Sequence, residues 1–311
     1  MDEPALSEHA AGVPVGLEVG AGPGLPIESD PPEGDPTRSP QTGWPWWSAF
    51  LALVGGLVLA AVFGLVVDLP ALALGVHVTS SHTPAGLAIA DTFVQDIAFV
   101  LAAVYCAHLG GRAVRAWQLG LRRPGAGWGS AAAMVLLLFI VFLSLSAAWA
   151  EAVNPGKEKL LQQLGSNESG VLLVLSAGLT CVIAPMCEEF LFRGYIFTAL
   201  RNRLGTWGAA GLTALLFGGV HAGSAPVLDL VPLAALGFGL CLLYRYTGSL
   251  YPCIVAHSIN NSIAFSALED WNVLQAAVLL LASLLVLALI LQASRRLGWS
   301  GSGTLVARSG A

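Results

Sequence analysis

Apolar stretches close to the ~20 residues needed to cross a bilayer's hydrocarbon core recur along most of this 311-residue chain. They fall at about 48–68, 86–108, 130–150, 170–200, 207–222, 227–246, 250–268 and 272–293. Backbone polar groups find no water inside lipid, and nothing in these stretches alternates as a barrel strand would, so each must be a helix. The expectation is an all-α, polytopic membrane helical bundle of about eight transmembrane helices. Composition agrees: 56% of residues are hydrophobic, only 11% are charged, and mean hydropathy is +0.74. A soluble α/β enzyme carries about twice that share of charge. Fourteen bases against nineteen acids also argue against a nucleic-acid partner, which leaves the lipid bilayer as the first partner expected.

Charge is unevenly placed. Residues 1–47 hold eight acids and the single base Arg38 in a Pro/Gly-rich context, and read as a disordered acidic tail. No secretory signal peptide is expected at the start, because the first apolar run begins only near Trp47 and is long enough to stay in the membrane. Basic residues then orient the bundle. Arg112, Arg115, Arg122 and Arg123 follow the second span, Arg201 and Arg203 the fourth, Arg245 the sixth, and Arg295 and Arg296 the eighth. With alternating spans all of these share one side, and the positive-inside rule makes that side cytoplasmic. The opposite loops lack bases or, at Lys157 and Lys159, mix them with Glu151 and Glu158. A multi-pass protein of the cell (inner) membrane with both termini cytoplasmic is expected, residues 294–311 forming a short cytoplasmic tail. Trp44, Trp46, Trp47, Trp117, Trp128, Trp207, Trp271 and Trp299 fall near predicted span ends, as an interfacial belt would. The five cysteines form no CxxC pair and read as small buried hydrophobes.

Ionisable groups inside spans are costly and mark function. In Cys187-Glu188-Glu189-Phe190-Leu191-Phe192-Arg193-Gly194, the adjacent carboxylates point about 100° apart on a helix. Glu189 and Arg193, four apart, share a face and can pair, which leaves Glu188 aimed elsewhere. A lone carboxylate in apolar surroundings suits general acid and base work. Pro185 frees a carbonyl one turn back and loosens the helix beside the pair. A second group, Phe217-Gly218-Gly219-Val220-His221-Ala222-Gly223, combines an imidazole with glycines that allow close helix approach. In the third, His257-Ser258-Ile259-Asn260-Asn261, His257 and Asn261 sit one turn apart on one face. Counted from the cytoplasmic ends, Glu188, His221 and His257 lie at depths of roughly 22, 21 and 12 Å, so the three groups can converge.

Taken in order, Glu188-Glu189-x-x-x-Arg193, Phe217-x-x-x-His221 and His257-x-x-x-Asn261 resemble the three signature motifs of the type II CAAX prenyl protease and bacteriocin-processing family of intramembrane peptidases. The resemblance covers about residues 130–293 and is carried by 170–265; two leading helices within 48–129 and the tail lie outside it. It implies an intramembrane endopeptidase. Glu188 and His221 would activate a water for attack on a peptide carbonyl, His257 and Asn261 would donate to the developing oxyanion, and Glu189 and Arg193 would brace the helix. The substrate implied is a membrane-associated peptide or protein, cleaved near the cytoplasmic side.

Glu188, His221 and His257 could also compose a His₂Glu zinc site. No HExxH is present, Asn is a poor zinc ligand, and committing both histidines to metal would remove the oxyanion donors, so glutamate-type catalysis without a cofactor is the reading preferred over zinc. Two other classes compete: a non-catalytic membrane scaffold or bacteriocin-immunity factor of the same family, and an ion-coupled transporter using Asp91, Gln95 and Asp96 of the second span.

Overall fold

The computed structural model describes residues 42–76, 83–109, 114–153 and 170–296, with side chains through 293. Most of the acidic tail, the C-terminal tail beyond 296, Arg112, Lys157, Lys159 and Trp299 lie outside the described residues. Those residues are helical, with no strand among them. The elements are α1 (Ser48–Ala73), α2 (Ala85–Ala107), a 3₁₀ turn (Ala116–Leu119), α3 (Gly127–Val153), a 50-residue helical run α4 (Val171–Val220), a second 3₁₀ turn (Val227–Asp229), α5 (Leu230–Thr247), α6 (Leu250–Leu268) and α7 (Val273–Arg296).

The α4 run is a hairpin. Gly205 has φ 67° and ψ −178°, a conformation open essentially to glycine alone. Phe192 and Phe217 are twenty-five residues apart in sequence, which would be ~37 Å along a straight helix, yet their rings meet edge-on at 5.1 Å. The chain therefore reverses at Gly205, and the arms 171–204 and 206–220 match the fourth and fifth expected spans. Counted this way, the described residues hold eight helical segments at the eight expected places. Six helices are long and apolar enough to cross a membrane, the hairpin being one of them. Missing from the six is α6, whose apolar sequence is interrupted by His257, Ser258, Asn260, Asn261, Ser262 and Ser266.

Small residues govern the packing. Ala49, Ala52 and Gly56 of α1 lie against Phe99, Ala102 and Ala103 of α2, and a Cβ on Gly56 would come within 3.1 Å of the Phe99 ring. Gly218 allows the hairpin's second arm to touch α5, since a Cβ there would sit 2.9 Å from the Leu230 carbonyl oxygen. With no hydrophobic drive between helices in lipid, such close backbone approach is what holds them together. The core is filled by Leu191, Phe192, Tyr195, Ile196, Phe197 and Leu200 of the first arm, all fully buried.

One end of the bundle is stitched by polar contacts. Trp44 Nε1 donates to the Ala107 carbonyl (3.1 Å), Asn202 Nδ2 to the Thr42 carbonyl (2.6 Å), Arg122 Nε to the Gly248 carbonyl (2.7 Å), Ser249 Oγ to the Arg122 carbonyl (2.5 Å) and Arg245 Nε to Thr206 Oγ1 (3.4 Å). Burial pulls the Arg122 guanidinium below its ordinary pKa, against an opposing effect of Tyr244. Arg115, Arg122, Arg123, Arg201, Arg203 and Arg245 thus share a single end, as the alternation of spans requires.

Candidate active site

The first arm of α4 is not uniform. It turns π-helical at Leu179–Ile183, returns to α for Ala184–Glu189, and is π-helical again over Phe190–Phe197. Pro185 explains the first switch. It has no N–H to give the Cys181 carbonyl four residues back or the Thr180 carbonyl five back, the two partners of an α or a π turn. Helix α6 takes up both: Ser258 Oγ donates to the Cys181 carbonyl (2.5 Å) and Asn261 Nδ2 to the Thr180 carbonyl (2.9 Å). The proline thus creates the acceptors on which α6 docks, and that docking brings His257 to the acidic pair.

Glu188 and Glu189 diverge as helical geometry demands. Glu189 is fully buried; its Oε1 accepts from Arg193 Nη1 at 2.7 Å and from His257 Nδ1 at 2.8 Å. Arg193, also fully buried, donates through Nη2 to the Gly237 carbonyl (2.9 Å), and its guanidinium carbon lies 4.6 Å from the centre of the Phe217 ring. Glu188 faces the other way, with Oε2 3.8 Å from His257 Nε2 and no hydrogen-bond partner for that oxygen among the described residues. Since an ionised carboxylate only accepts, His257 must donate its Nδ1–H to Glu189, and Nε2 is left turned toward Glu188.

His221 follows directly on the last residue of the hairpin's second arm. Its Nδ1 is 2.7 Å from the Phe217 carbonyl, which can only accept, so its Nε2 is the free acceptor. Phe217 lies between the two imidazoles, 5.1 Å from the His221 ring and 5.7 Å from that of His257. The ring that shields Arg193 therefore also spaces the histidines, a role its place in the motif did not disclose. Asn261 keeps one amide hydrogen after bonding Thr180, and its Oδ1 accepts from Asn260 Nδ2 at 3.2 Å.

A cavity of about 540 Å³ is lined by Glu188, His221, His257, Asn260 and Asn261 together. The leading helices contribute as well: Leu57 of α1 and Asp91, Thr92 and Gln95 of α2 line it, so these helices form a wall of the site. Asp96 is buried beside Glu188, within electrostatic range, and both of its oxygens lack a partner among the described residues. The sequence signals Asp91, Gln95 and Asp96 as charge inside a span but not where they face. Ser224 and Asp229, also lining, carried no earlier signal beyond their polarity. Among the described residues, no three His, Cys, Asp or Glu side chains gather closely enough to hold a metal ion. Glu188, His221 and His257 line the same cavity.

Residues 170–263 match the family model described as type II CAAX prenyl endopeptidase Rce1-like. The matched segment holds every motif residue named above. Among curated proteins, the chain is 33% identical over 95 residues to an uncharacterized protein of Mycoplasma capricolum, covering 30% of this chain and 27% of that one. It is 26% identical over 161 residues to the UPF0177 protein YxdF of Lactococcus lactis, covering 50% of this chain and 88% of the relative. It is also 32% identical over 81 residues to a Bacillus subtilis protein named "Putative membrane peptidase YdiL", covering 26% and 32%. The chain thus spans about a third or less of the Mycoplasma and Bacillus relatives. No solved structure matches it.

Proposed function

We propose that this protein is an intramembrane endopeptidase that hydrolyses a peptide bond of a membrane-associated peptide or protein. The observation that carries the reading is the gathering of Glu188, His221, His257 and Asn261 from three helices around one cavity, together with the Rce1-like match over the same residues. In this cavity a carboxylate and an imidazole Nε2 lone pair supply proton acceptors for a water. His221, locked by its Nδ1–H to the Phe217 carbonyl, offers Nε2 as base, and Glu188 offers a carboxylate with one oxygen that has no hydrogen-bond partner among the described residues.

As the water's oxygen attacks the substrate carbonyl, its proton passes to Glu188 or His221 and then to the leaving amine. The negative charge moves to the carbonyl oxygen. With its Nδ1–H given to Glu189, His257 would donate to that oxygen through a protonated Nε2. The remaining Asn261 amide hydrogen supplies a second donor. Glu189 and Arg193 act through His257 by fixing its ring. No step requires a metal.

The test compares membrane peptides from cells carrying the wild-type protein with those from cells carrying Glu188→Gln, alongside cleavage of the resulting candidate peptides by purified protein in liposomes. Peptides that accumulate uncut only in the variant are expected. Biological function retained in full by Glu188→Gln would instead support the scaffold or immunity reading.

A further inference from the structure

The cavity is not centred in the bundle. Apart from Leu57, Phe99, Glu188 and His257, which lie nearer the middle, its lining is drawn largely from the N-terminal half of α2 (Asp91, Thr92, Gln95), the C-terminal end of the α4 hairpin (His221), the start of α5 and the C-terminal half of α6 (Asn261). Each of these lies toward the end opposite the arginines. Helix lengths explain why there is an opening there. The hairpin's second arm, 206–220, spans only ~22 Å against a hydrocarbon core of ~30 Å. The turn after it, 221–226, therefore sits at membrane depth without helical structure, where backbone is tolerated only if it is buried in protein or borders water. Ala222 and Gly223 in this turn are exposed, while Ser224 and the flanking His221 and Asp229 line the cavity.

Charge identifies the two ends. Among the described residues, the end bearing the turn has no Lys or Arg but carries Asp91, Glu151, Asp229, Glu269 and Asp270, whereas the six arginines named above occupy the other. We infer that the cavity opens to the non-cytoplasmic side of the membrane, and that the substrate is a peptide segment presented there: an exported peptide or the outer juxtamembrane segment of a membrane protein. This reverses the side of cleavage expected from the sequence, and the substrate half of it rests on the peptidase reading.

The test is cysteine labelling in spheroplasts with a membrane-impermeant maleimide, using the full chain with its five native cysteines as baseline. Ser224→Cys and Gly223→Cys report on the mouth; a Cβ at Gly223 meets nothing within 4 Å. Gly125→Cys, exposed beside Arg122 and Arg123, reports on the opposite end. The mouth variants are expected to gain label above baseline in intact spheroplasts, and Gly125→Cys only after permeabilisation. Mouth variants labelled only after permeabilisation, or under neither condition, would overturn the inference, as would Gly125→Cys labelled from outside. Labelling needs no turnover, so a mouth reached from outside in a protein that cuts nothing would sink the peptidase reading and leave the orientation standing.

Discussion

At the scale of single residues, the neighbours Glu188 and Glu189 have opposite surroundings. Glu189 is closed off by Arg193 and His257, while the Glu188 carboxylate reaches the cavity. Their substitutions should separate accordingly. Glu188→Gln keeps size and packing, so thermal unfolding in detergent should stay near wild type while cleavage falls by about 10² or more, the usual loss for a missing acid–base group. Glu189→Ala leaves the Arg193 guanidinium fully buried without its carboxylate, a loss of order 3–5 kcal/mol. Its melting temperature should drop markedly, and an unchanged melt would show that the ion pair does not brace the helix. His221→Ala should resemble Glu188→Gln, because the fold would lose a bond to a carbonyl of its own helix and one ring contact with Phe217.

At the scale of elements, the site depends on irregularity in the fourth expected span. Pro185 withdraws an N–H, two carbonyls open, and α6 bonds to them through Ser258 and Asn261. Ser258→Ala would leave the Cys181 carbonyl buried without that donor, and about 1–3 kcal/mol of stability should go with it. Cleavage should fall in parallel, since His257 is one residue away; denaturation midpoints and initial rates on the same preparation check both. Gly205 makes the hairpin possible. With φ at 67° and ψ at −178°, Gly205→Ala should cost about 1–3 kcal/mol, read as a lowered melting temperature.

At the scale of the whole molecule, a bundle held by small-residue contacts carries a cavity walled by both the family-matched segment and the two leading helices. On the proposed mechanism Glu188 and His221 activate the water themselves, so purified protein should keep its activity after chelation and dialysis. Loss of cleavage that stoichiometric zinc restores would refute this. The positions of the spans, the all-helical class, the likeness of the two halves of the Glu188–Glu189 problem to a pair plus a lone acid, and the resemblance itself were legible in the chain. They follow from local rules: a hydrocarbon core of fixed thickness sets segment length, and a fixed rotation per residue sets which side chains share a face. What Phe217 shields, which carbonyls α6 seizes, and that Asp91 and Gln95 face the same cavity as Glu188 were decided only by tertiary structure. These contacts join residues far apart in sequence, and no periodicity within one helix says which neighbour its polar face will meet.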